Sequence, residues 1–120
     1  MSVHNLAKFR NSKTHSNTTN VQIVSFNRSE LNSILQLYGQ MVANGIWRDY
    51  GISHLSTFAV FSVFRRTAEV PLYQIEKHPS LAGRDALYQV KSMNGKILKR
   101  GNNLKQVLKV LDKKRLSLIS

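Results

Sequence analysis

Between residues 96 and 115 stand eight Lys or Arg side chains and one acid, Asp112. Such a density of fixed positive charge suits contact with phosphate more than nucleophilic or acid–base chemistry. Lys105, Lys109 and Lys113 recur every four residues and so share one side of a helix, while Lys96, Lys99 and Arg100 lead into it. The expected chemistry is electrostatic: side chains that track a phosphate backbone, release counterions, weaken with salt and read little sequence. Lys113, Lys114 and Arg115 have a second explanation in the macrodipole of a helix C-terminus. That leaves Lys96, Lys99, Arg100, Lys105 and Lys109 as the candidate polyanion site, with nucleic acid or an acidic protein as the partner. Within it, Lys99-Arg100-Gly101-Asn102-Asn103 could offer backbone N–H groups to an anion just before a helix. The competing and favoured reading has Asn103 capping those N–H groups itself.

Other chemistries find fewer residues. The chain has no cysteine, six carboxylates and four histidines. Asp49 and His54 lie five apart and His78 stands beside a proline, which matches no metal or triad spacing, and no glycine-rich phosphate loop occurs. No catalytic residue, metal or cofactor is expected, so the chain is read as a binding module and not an enzyme. Trp47-Arg48-Asp49-Tyr50 supplies the alternative: with Trp47 and Tyr50 exposed, it would anchor a protein partner. The favoured reading makes these aromatics a plug at one end of the core. Arg65 and Arg66 close a strand and point to opposite faces, with Glu69 or Asp49 as a possible ion-pair partner. Tyr73 and Tyr88 share their strand faces with Ile75 and with Ala86 and Val90, so they belong to a core and not to a base-stacking surface.

These residues need elements to hold them. Val21 to Phe26 suits a first strand. Asn27 and Glu30 form a capping box and Phe26 with Leu31 a hydrophobic staple, which predicts a helix running to Asn44-Gly45. Its apolar face is Leu31, Ile34, Leu35, Tyr38, Met41 and Val42, and Gly39 within it suggests close approach of a neighbour. Trp47 to Thr57 reads as irregular. Phe58 to Phe64 is apolar on both faces, as an interior strand requires. Leu72 to Lys77 alternates after Pro71, and Met93-Asn94-Gly95 joins strands at Ala86–Ser92 and Lys96–Lys99 as a hairpin. Asn103 and Gln106 then open a C-terminal helix with Leu104, Val107, Leu108 and Leu111 as its stripe.

The result is an α+β fold: a small antiparallel meander sheet with a C-terminal hairpin, packed on one face by an N-terminal and a C-terminal helix. At 120 residues and 42% hydrophobic content there is material for one modest core. Residues 1–20, polar and basic, are expected to be a disordered tail, 21–115 the single domain, and 116–120 an extension. The longest apolar-rich run, seven residues, cannot cross a bilayer.

Four stretches carry a resemblance: WRDYGI at Trp47–Ile52, FSVFRR at Phe61–Arg66, PLYQIEKHP at Pro71–Pro79 and ILKRG at Ile97–Gly101. In order and spacing the chain, from about Val21 to Asp112, resembles a family of small alphaproteobacterial proteins classed as domain of unknown function 2794. The resemblance implies a bacterial, cytoplasmic setting and carries no activity, cofactor or functional residue with it.

Overall fold

The computed structural model describes residues 23–66 and 70–119, with side chains as far as Asp112. The helix start is the one the sequence demands. Asn27 accepts the Glu30 N–H at 2.8 Å and donates its own N–H to Glu30 Oε1 at 2.7 Å, so the capping box is complete. Phe26 is buried beneath it and Leu31 packs against the same core. Helix α1 (Arg28–Ala43) ends where Gly45 adopts φ +73°. Its buried line is Glu30, Ile34, Leu37 and Met41. The expected face is therefore rotated: Leu35 and Val42 are largely exposed and Leu37 replaces them. Nothing approaches Gly39, which corrects the expectation of a close neighbour there.

Five antiparallel strands follow in chain order, β1 (Asp49–His54), β2 (Ala59–Phe64), β3 (Tyr73–Lys77), β4 (Tyr88–Ser92) and β5 (Ile97–Gly101), each pairing with the next. A 3-10 helix (Pro79–Arg84) joins β3 to β4, and the Asn94-Gly95 turn, with Gly95 at φ +88°, joins β4 to β5. Helix α2 (Leu104–Ile119) closes the chain.

Two expectations need correction. Residues 23–27 form no strand, tied to the sheet end by Val24 N–H to Leu55 O at 2.9 Å, because Phe26 serves as the helix staple; Val21 and Gln22 lie outside the described residues. Conversely, β1 forms where a loop was expected. Its sequence, DYGISH, has weak β character, and pairing along all six residues of Val- and Phe-rich β2 overrides it.

The register sorts the side chains by face. Ile52, Phe61, Ile75 and Val90 stand opposite one another across four strands and form the helix-covered core. Tyr38 of α1 packs on Phe61, while α2 lies on β4, β5 and α1, burying Leu104, Val107, Leu108 and Leu111. At Gly101 a side chain would meet Val107 at 3.4 Å, so the strand end and α2 approach closely because the residue is glycine. The opposite face carries Gln74, Glu76, Gln89 and Lys91, as the alternation predicts. Both helices start at the same end of the sheet, beside Tyr88, and run the same way along one face.

Candidate functional site

The structure divides the five expected polyanion contacts. Lys105 and Lys109, one turn apart on α2, line a groove with Ser33, Gln36 and Gln40 of α1, about 240 Å³ in volume and including Asp112. Lys99 stands opposite Val90 and Arg100 opposite Gln89, so they leave β5 on opposite faces. Lys96 is exposed in the hairpin, where its N–H donates to Asn94 Oδ1 at 3.2 Å. Only Lys105 and Lys109 of the five are therefore brought together. The side chains of Lys113, Lys114 and Arg115 lie outside the described residues.

The turn before α2 is occupied by its own asparagines. Asn103 Oδ1 accepts the Gln106 N–H at 3.1 Å. Asn102 accepts the Leu87 N–H at 3.1 Å and donates Nδ2–H to Ala82 O at 2.8 Å, fixing the approach to β4. Asn102 and Asn103 thus form a structural turn, and Lys99 and Arg100 belong to the strand that precedes it.

Towards the helix starts the groove widens. One cleft of about 460 Å³ is lined by Arg28, Ser29, Asn32, Ser33, Gln36 and Lys105. A neighbouring one of about 360 Å³ reaches Asn27, Glu30, Tyr88 and Asn103. Lys105 lines all three, so the clefts adjoin one another as an open channel along the helices. The α1 wall was missed in the sequence, although Ser29, Ser33, Gln36 and Gln40 follow helical spacing and mark a polar stripe beside the buried line.

At the floor of this channel Glu30 Oε1 accepts Lys77 Nζ–H at 2.9 Å, and Oε2 accepts the Tyr88 hydroxyl. Lys77 also donates to Ser25 O at 3.0 Å. Burial alone would raise the Glu30 pKa, but hydrogen bonds from Tyr88, Lys77 and Asn27, with the Lys77 charge, hold it below 4.5. Burial first, then the bond to Glu30 and its charge, push the Tyr88 phenol up. Both shifts move away from neutrality, so the carboxylate stays ionised and the phenol protonated, which suits a structural clamp and not proton transfer.

The remaining candidates resolve into packing. Trp47 is 2% exposed, with Tyr38 and Tyr73 at ring distances of 6.1 and 6.5 Å, so it is the core plug and leaves the exposed-anchor reading. Tyr50 is 42% exposed and lies against Tyr38 and Phe61, each at 4.9 Å. His78 bonds Glu76 at 2.7 Å and stacks on Phe58 at 4.8 Å. Asp49 Oδ1 accepts the Tyr50 N–H, and Glu69 lies outside the described residues. Among the described residues no three His, Asp or Glu gather as a metal site, and no helix is long and apolar enough to cross a membrane.

No curated protein and no solved structure matches the chain. A family model does, over residues 24–108, a span that holds the whole sheet, all of α1 and the first turn of α2. The chain therefore belongs to the family described as protein of unknown function, DUF2794.

Proposed function

We propose that the chain is a small binding module, not an enzyme, that contacts nucleic acid with little sequence preference through the channel between its two helices. The observation that carries this reading is the lining of that channel. Arg28, Lys105 and Lys109 supply positive charge against Asp112 and the Lys77-paired Glu30, while Ser33, Gln36 and Gln40 supply neutral donors and acceptors. Cations set the affinity through counterion release, and hydroxyl and amide groups satisfy phosphate and sugar oxygens without reading a base. The net charge of +12 draws any polyanion toward the surface. The resemblance in the sequence adds a bacterial cytoplasmic setting to the proposal.

Fluorescence anisotropy with random duplex and single-stranded DNA and RNA tests it. Binding is expected at micromolar protein in low salt, falling steeply as salt rises. The double variant Lys105→Glu/Lys109→Glu should abolish it, and neutralising Lys109 alone should lower the salt slope by about 1. Absence of binding at low salt, or binding indifferent to the double reversal, overturns the proposal. Capture from cells with and without nuclease separates it from an acidic protein partner.

A further inference from the structure

At the other end of the sheet, Val42, Gly45, Trp47, Arg48, Arg65 and Arg66 line a separate cleft of about 630 Å³. Its cations come from two places in the chain. Arg48 precedes β1 and Arg65 follows β2, and the antiparallel pair Asp49 and Phe64, with Arg48 N–H to Phe64 O at 2.8 Å, sets them side by side. All three arginines are exposed, and none of the described residues lining the cleft is acidic. Val42, 41% exposed, forms the apolar side of the cleft, and an edge of the otherwise buried Trp47, held between Tyr38 and Tyr73, closes its base.

The end of α1 beside this cleft would ordinarily repel an anion through its free carbonyls. Here those carbonyls have internal donors. Gln40 O accepts the Asn44 N–H, Val42 O the Gly45 N–H, and Met41 O the N–H groups of Ile46 and Trp47. The positive φ of Gly45 permits that closing turn.

We infer that this cleft binds a small organic phosphate with an apolar body. Guanidinium groups pair with oxyanions through two parallel hydrogen bonds each. A phosphate monoester presents three terminal oxygens and up to two charges, which several guanidinium groups can share, where a carboxylate presents two oxygens and one charge. The exposed Val42 side chain, beside the edge of Trp47 at the base of the cleft, offers the apolar part a contact. The inference rests on Arg48 and Arg65 and is independent of the helix channel, whose residues do not line this cleft.

Trp47 is the single tryptophan of the chain, so its fluorescence reports on the base of this cleft. Titration of the full chain with phenyl phosphate, followed by fluorescence and by calorimetry, should give a saturable signal. Inorganic phosphate and benzoate should bind about tenfold more weakly and phenol not at all, while Arg48→Gln/Arg65→Gln should weaken phenyl phosphate at least about tenfold. Lys105→Glu/Lys109→Glu should leave the titration unchanged. No saturable heat or fluorescence at millimolar phenyl phosphate, benzoate binding as tightly as phenyl phosphate, or equal affinity in the folded double variant overturns the inference. Near-ultraviolet circular dichroism reports folding. Should the double variant unfold, Arg65→Lys decides: several-fold weaker binding through loss of the guanidinium fork supports the site, and unchanged affinity overturns it.

Discussion

Glu30 and Glu76 are buried to a similar depth, 7% and 5% exposed, on opposite faces of the same sheet. Their surroundings differ in reach. Glu30 joins the start of α1 to β3 and β4 through Lys77 and Tyr88, 47 and 58 residues away, and both its oxygens are engaged. Glu76 takes Lys91 at 3.0 Å and His78 at 2.7 Å on one oxygen, within two adjoining strands and a side that keeps Lys91 29% exposed. A buried carboxylate whose partners are distant in sequence fixes tertiary structure. One whose partners lie beside it on its own and the adjoining strand fixes a strand pair that the backbone already holds. The difference teaches that burial of the acid alone does not set its worth.

The sharpest test removes the Glu30 charge. Glu30→Gln leaves Lys77, 16% exposed, without its carboxylate and weakens the helix cap, so urea unfolding should show a loss of about 3 kcal/mol. The pH dependence should agree in sign. A carboxyl with its folded pKa below 4.5 stabilises fully above that value and loses the contribution as pH falls through the folded pKa. A phenol raised above 10.0 stabilises below 10.0 and loses the contribution as pH climbs beyond it. The clamp therefore holds between these limits, and Glu30→Gln should flatten the acid limb. An unchanged acid limb would show that the clamp does not govern acid unfolding.

Tyr88→Phe is next in size. It keeps the ring in the core and takes the hydroxyl from Glu30 Oε2, for an expected loss of about 1.5 kcal/mol. Glu76→Gln should follow at about 1 kcal/mol, since Lys91 can return to water. A loss at Glu76 equal to that at Glu30 would break the comparison and mean that the second face is as closed as the first.

How much of this was legible followed from the range of the interactions. The helix starts, the Asn94-Gly95 hairpin and the stripe of α2 rest on contacts within a few residues, and each was read correctly. Glu30 was recognised as half of a capping box, and its other half, the clamp to Lys77 and Tyr88, was invisible because the partners arrive through the fold. The same applies to β1, whose DYGISH becomes a strand by pairing with β2, and to the arginine cleft, where Arg48 and Arg65 meet across that pair. The five candidate polyanion residues are spread for a local reason: adjacent strand residues point apart, which separates Lys99 from Arg100. Lys105 and Lys109 stay together because helical spacing is a local property.

The smallest predicted effect probes where α1 is attached. The helix is held along its buried line of Glu30, Ile34, Leu37 and Met41, so the side turned away from that line need not approach any neighbour. Gly39 lies there, exposed, and an added methyl would meet nothing within 4 Å. Gly39→Ala then changes only helix propensity and should raise stability by about 0.5–1 kcal/mol, seen as a higher urea midpoint with unchanged slope. A destabilising result would mean that this outer side of α1 also presses on a neighbour.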